Sequence, residues 1–155
     1  MTEAPTIRLA DADDLPAIRR ITEAAYSPYI EALGVPPVPM TDDYAPRVAS
    51  GQVWLLELQG DPAGLIVIEE GVDRDEIFSV AVDPTAHGRG YGRALIAHAE
   101  ARARADGKAV IGLYTNVLMT RNIALYARLG YRETGRRANP ARPELTIVDM
   151  EKPLD

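Results

Sequence analysis

Gly88, Gly90 and Gly92 fall at alternate positions in Phe78-Ser79-Val80-Ala81-Val82-Asp83-Pro84-Thr85-Ala86-His87-Gly88-Arg89-Gly90-Tyr91-Gly92-Arg93-Ala94-Leu95. The stretch reads as a strand, a sharp stop at Asp83-Pro84, a glycine-rich turn and a helix. Glycines so spaced let main-chain amides approach a ligand closely, in conformations that a Cβ forbids. The helix that follows adds first-turn N–H groups without internal partners and a partial positive charge. Together these are the parts of an anion site, suited to a phosphate or diphosphate. Arg89 and Arg93 add full charges beside it. A nucleoside triphosphate loop would close in Gly-Lys-Ser/Thr, which is missing here. A dinucleotide fingerprint needs Gly or Ala three residues after its second glycine. Counting from Gly90 reaches Arg93, and counting from Gly92 reaches Leu95. Both readings fail.

Composition removes other chemistries. The sequence has no cysteine, which excludes disulfides, thiolate metal sites and a cysteine nucleophile. The two histidines, His87 and His98, do not make a zinc site, and no metal is expected. A formal charge of −6 argues against nucleic acid, whose recognition rests on clustered Lys and Arg. No apolar run approaches the roughly 20 residues of a membrane span. The start Met1-Thr2-Glu3-Ala4-Pro5 lacks the form of a signal peptide, so a cytoplasmic protein without membrane contact is expected. At 155 residues, 46% of them hydrophobic and 26% charged, a single domain over residues 1–155 with a real core is expected.

The elements around the turn follow from periodicity and punctuation. Thr6–Leu9 reads as a strand, and Asp11 or Asp13 caps a helix whose buried face carries Leu15, Ile18, Thr22 and Ala25. Gly34 ends a second short segment, Pro36 to Pro39 reads as a stiff loop, and a helix opened by Thr41-Asp42-Asp43 closes near Ser50-Gly51. A hairpin follows, Gln52 to Gln59 and Ala63 to Glu70 around Gly60-Asp61-Pro62. Strands Glu76 to Asp83 and Ala109 to Thr115 flank a helix from Gly92 to Ala105 that stops at Gly107. These form a parallel βαβ unit. A helix from Arg121 to Leu129 ends at Gly130, and two strands, Tyr131 to Arg137 and Glu144 to Lys152, are joined around residues 139–143. The expected class is α/β, a mixed sheet with helices on both faces.

With these elements in place, the sequence resembles the GNAT acyl-CoA N-acyltransferase superfamily from about Thr6 to Lys152. His87-Gly88-Arg89-Gly90-Tyr91-Gly92 after Val82-Asp83-Pro84 matches its Gln/Arg-x-x-Gly-x-Gly/Ala signature, with His87 in place of Gln or Arg. A second stretch, Asn122-Ile123-Ala124-Leu125-Tyr126-Ala127-Arg128-Leu129-Gly130-Tyr131, looks like the family's tyrosine-bearing helix. The resemblance implies acetyl-CoA as co-substrate. Its diphosphate would lie on His87 to Arg93, its pantetheine arm along Val80-Ala81-Val82, and Tyr126 would donate to the departing thiolate. Many relatives carry an asparagine seven residues before the tyrosine; Met119 stands there, and Asn122 or Asn116 is a substitute. A strand acid serving as base has no counterpart in Leu113-Tyr114-Thr115-Asn116, which leaves Glu69, Glu70, Glu76 or a water chain. The implied acceptor pocket lies at Tyr26, Tyr29, residues 36–40 and residues 136–143, with Arg132, Arg136, Arg137 and Arg142 as carboxylate binders or solvated charges. The implied reaction is acetyl transfer to a primary amine of a small molecule. Transfer to protein α-amines or lysines, and a non-catalytic acyl-CoA sensor, are the alternatives. A homodimer is common for the fold and stays open.

Overall fold

A computed structural model describes residues 4–155. Its strands are β1 (Thr6–Leu9), β2 (Val53–Leu58), β3 (Asp61–Glu70), β4 (Arg74–Val82), β5 (Val110–Asn116), β6 (Arg132–Ala138) and β7 (Thr146–Pro153). Its helices are α1 (Leu15–Tyr26), α2 (Ile30–Leu33), α3 (Val38–Thr41), α4 (Tyr44–Ala49), α5 (Tyr91–Ala105) and α6 (Thr120–Arg128). The strands form one seven-stranded sheet in the order β1-β2-β3-β4-β5-β7-β6, flanked by helices. β4 and β5 pair in parallel, as expected for strands joined through a helix; β1–β2, β2–β3, β5–β7 and β6–β7 are antiparallel.

The chain divides into two compact units. The first holds residues up to Glu69 together with Phe78–Ala99, and the second Glu70–Ile77 with Glu100–Asp155. In the first, Ile18 and Ile21 of α1, Leu55 and Leu56 of β2, Leu65 to Ile68 of β3, and Leu95 and Ile96 of α5 are buried. Unbroken burial from Ala63 to Ile68 is the mark of a central strand covered on both faces. In the second, Ile111, Leu113, Val148 and Met150 form the apolar centre.

Local chemistry explains most boundaries. Asp11 caps a one-turn 3-10 segment, Ala12–Asp14, by accepting from the Asp13 amide, and Asp14 returns a bond from the Asp11 amide. Helix α1 then starts at Leu15 with Pro16 in its first turn, where a missing N–H costs nothing. The proline-rich stretch differs from the stiff loop expected, because Val38–Thr41 winds into a helical turn after Pro37. The hairpin connection tightens to Gln59 and Gly60, so Asp61 and Pro62 belong to β3. Strand β4 begins at Arg74 rather than Glu76. Asp75 is fully buried with Lys108 Nζ at 3.3 Å, and Lys108 also donates to the Gly71 carbonyl. Arg74 bridges Glu76 (3.1 Å) and Glu151 (2.7 Å) across Gly112, where a Cβ would strike the guanidinium. Charged residues extend this strand because partners on other elements receive them. No single-strand pattern displays that.

Candidate active site

The turn after β4 is built from main chain. Asp83 ends the strand and caps a second 3-10 turn, Pro84–Ala86, accepting from the Thr85 amide at 3.0 Å and the Thr85 hydroxyl at 2.9 Å. Those bonds, the amide's first, hold its carboxyl below the usual range, and Arg20 adds to them from 3.2 Å. His87 to Gly90 are exposed, with Gly88 at φ +79° and Gly90 at φ +81°. No atom crowds either glycine, so the left-handed backbone itself is what demands glycine there. Gly92 differs: it lies inside α5, and a Cβ would only touch Val82 at 3.9 Å. The Gly90 carbonyl accepts from Ala94, so Tyr91, Gly92 and Arg93 carry the first-turn amides that a helix cannot satisfy internally. Arg89 and Arg93 are exposed beside them, and among the described residues neither has an ion-pair partner within 4.0 Å. An oxyanion of a diphosphate fits such a cradle of donors.

Strand β4 leads into this turn. Phe78 lies 3.8 Å beneath the Arg47 guanidinium of α4, while the next residue, Ser79, meets the Tyr26 hydroxyl of α1 at 2.9 Å. Ile77, Phe78 and Ser79 are buried in succession. Pairing with β5 runs from Arg74↔Val110 to Ile77↔Leu113 and β4 continues to Val82. Near the end of β4, the Asp83 amide bonds the Ala63 carbonyl and the Ala81 carbonyl faces Gly64, so odd-numbered residues point toward β3. Val80 and Val82 point the other way and present an outward main-chain edge.

Two side chains reach that edge. Tyr26, open between an acceptor pocket and core packing, is buried and donates its hydroxyl to the Val80 carbonyl at 3.1 Å, with Ser79 Oγ beside it. Burial pushes the Tyr26 phenol up, so it stays protonated and remains a donor. His87 Nε2 donates to the Val82 carbonyl at 2.9 Å, which fixes the Nε2–H form of the neutral ring.

In the second unit, α6 carries Asn122 and Tyr126. It ends in a Schellman motif: Tyr131 N bonds Tyr126 O at 3.0 Å, Gly130 N bonds Ala127 O at 3.1 Å, and Gly130 sits at φ +100°. That closure brings the Tyr131 ring edge-on to buried Tyr126, with centroids 6.2 Å apart. Tyr131 donates to Glu100 Oε2 at 2.8 Å, and Lys152 Nζ lies 3.0 Å from Oε1. Burial, then the Glu100 charge, push the Tyr131 phenol well up. Sequence reasoning missed Glu100 and Lys152, since neither stands in a motif. The signal available was an acid among the alanines of α5's buried face.

Met119 occupies the family's asparagine position, and its sulfur accepts from the Asn122 amide (3.7 Å) and the Thr115 hydroxyl (3.6 Å). Asn116 Oδ1 accepts from the Leu118 amide at 2.9 Å, shaping the entry to α6. The three candidate bases are each ion-paired: Glu69 with Arg47 (2.9 Å), Glu70 with Arg102 (3.3 Å) and Glu76 with Arg74 (3.1 Å). Arg136 pairs with Glu133, and Arg137 binds Asp149 in bidentate fashion, which leaves Arg132 and Arg142 as the acceptor-side arginines outside those ion pairs. Among the described residues no group of three potential metal ligands occurs, and no helix is long and apolar enough to cross a membrane.

Comparison with known proteins gives the family to which this fold belongs. Residues 16–131 match the model of the acetyltransferase (GNAT) family. The chain belongs to that family and is an acyltransferase. It is 29% identical over 135 residues to the [ribosomal protein bS18]-alanine N-acetyltransferase of Escherichia coli K12, covering 86% of this chain and 85% of that protein. It is 36% identical over 91 residues to an IAA acetyltransferase of Azospirillum brasilense, 59% of each chain. Among solved structures, it is similar to the Escherichia coli ribosomal-protein-S18-alanine N-acetyltransferase (TM-score 0.75, 25% identity, 98% and 95% coverage). It is also similar to yncA from Salmonella typhimurium with its cofactor acetyl-CoA (TM-score 0.72, 25% identity, 99% and 95% coverage).

Proposed function

We propose that the chain works as one acetyltransferase domain that moves the acetyl group of acetyl-CoA directly to the primary amine of a small molecule. The observation that carries this reading is the turn itself. Two left-handed glycines open into the amides of Tyr91, Gly92 and Arg93, directly after a strand edge that points away from its neighbour. Amides of residues 88–93 hold the diphosphate, with Arg89 and Arg93 beside it. The edge Val80–Val82 receives the pantetheine arm as an added strand, a mode whose affinity comes from main chain. Acetyl-CoA supplies an activated thioester, so no residue of this chain has to be acylated.

An outward N–H of Val80 or Val82 stabilises the negative charge that builds on the thioester oxygen. Tyr126 donates a hydrogen bond to the leaving thiolate. Full proton transfer from a phenol near pKa 10 to a thiolate whose thiol is near 8.5 is uphill by about 2 kcal/mol, so hydrogen bonding is its contribution. The attacking amine must be neutral. With Glu69, Glu70 and Glu76 each held by an arginine, water takes the proton that frees the amine, and the ammonium nitrogen of the tetrahedral intermediate gives up the last proton, which ends on the departing thiolate.

A second reading is acetylation of a protein α-amine, favoured by the near full-length match to the bS18-alanine enzyme. An α-amine near pKa 8 needs less help from a base than a lysine near 10.4, which suits a site whose acids are paired. A thiol-release screen of acetyl-CoA against amino acids, polyamines, aminoglycosides and N-terminal peptides separates these readings. Turnover confined to peptides replaces the small-molecule reading. Binding of acetyl-CoA without thiol release from any amine makes the chain a sensor.

A further inference from the structure

Polar groups along the outward edge of β4 are unequal. A strand residue turns its N–H and C=O to the same side, so a bare edge offers alternating donors and acceptors. Here the acceptors are engaged by the chain's own side chains. The Val80 carbonyl receives the Tyr26 hydroxyl from α1, and the Val82 carbonyl receives His87 Nε2 from the turn. Both donors belong to the unit that carries the edge. The N–H groups of Val80 and Val82 lie on the same side, two residues or roughly 7 Å apart along the strand.

We infer that Tyr26 and His87 are positioning residues that convert the Val80–Val82 edge into a donor edge, which selects its ligand through carbonyl oxygens. The inference rests on the acetyl-CoA reading and deepens it. A pantetheine thioester carries three carbonyl oxygens and two amide hydrogens, so a donor edge matches its richer set. The two contacts also fix the Val80 and Val82 peptide planes before ligand arrives, which lowers the ordering cost of binding. Tyr26 anchors the strand to α1. His87 ties the turn back to the strand.

Isothermal titration of the full chain with acetyl-CoA, and with 3′-phosphoadenosine 5′-diphosphate as a competitor without the pantetheine arm, tests the inference. His87→Ala should weaken acetyl-CoA about fivefold, the equivalent of one net hydrogen bond of ~1 kcal/mol. His87→Gln, which restores a side-chain N–H donor, should recover affinity to within twofold. Tyr26→Phe keeps the ring and should also cost about fivefold. The arm-less diphosphate should bind all variants within twofold of wild type. A loss at His87→Ala that is equal for both ligands would place His87 on the phosphates and overturn the inference. Unchanged acetyl-CoA affinity in either variant would overturn it as well. If Tyr26→Phe does not fold, the His87 pair decides alone. A wild-type chain that takes up no acetyl-CoA instead removes the acetyl-CoA reading itself, a separate outcome.

Discussion

In the turn after β4 the proposed ligand groups are main-chain amides, and the residues from His87 to Gly90 stand exposed to solvent. At the end of α6 the proposed group is one phenol, buried against a second tyrosine that a carboxylate and a lysine hold in turn. The first site is specified by backbone angles. The second is specified by side chains gathered from α5, α6 and β7. Binding of a diphosphate asks for several diffuse donors, which a glycine turn and a helix start supply. Meeting a single sulfur atom asks for one rigid donor, and rigidity comes from packing.

The comparison breaks most sharply at Gly90. Gly90→Val puts a β-branched residue at φ +81°, and affinity for coenzyme A should fall at least a hundredfold while the far-UV spectrum and melting stay near wild type. Retained affinity by calorimetry would mean that the diphosphate sits elsewhere. At the other site, Glu100→Ala strands the Tyr131 hydroxyl and Lys152. Stability in urea should drop by about 2 kcal/mol, with the diphosphate still bound as in wild type. Tyr126→Phe should lower turnover at least tenfold, about 1.4 kcal/mol of transition-state stabilisation, and change acetyl-CoA affinity less than twofold. Equal turnover would take Tyr126 out of the mechanism.

The smallest effect concerns acid. Bonds from Arg8, and then from the Asp11 amide, lower the Asp14 carboxyl below its ordinary value. A depressed carboxylate contributes stability above its unfolded pKa, near 3.9, and that contribution is lost as pH falls through the lower folded value. The melting-temperature gap between wild type and Asp14→Asn should therefore be full at pH 6 and narrow below about pH 4. A gap that is the same at pH 3 would assign Asp14 a packing role only.

The backbone geometry of both candidate segments was legible because its determinants are local. Glycine at 88 and 90, a helix opening at Tyr91, and Gly130 followed by Tyr131 each encode a backbone geometry within a few residues. The order of strands and helices followed from periodicity in the same way, and boundaries moved by one or two residues. The start of strand β4 moved for a non-local reason, since Arg74 and Asp75 join it through Glu151, Lys108 and the β5 ladder. The contacts of Phe78 and Ser79 were equally hidden, because they depend on Arg47 and Tyr26 arriving from two helices.

By itself, then, the sequence determined which main-chain segments adopt ligand-shaped conformations, for φ preferences and helix caps act over a handful of neighbouring atoms. Only tertiary structure decided what each side chain touches. It set the Tyr26 hydroxyl on the Val80 carbonyl, gave His87 the Val82 carbonyl, and tied each of three candidate bases to an arginine. Those outcomes depend on distances between residues far apart in the chain, and hydrogen bonds and ion pairs form only where packing closes such distances to about 3 Å.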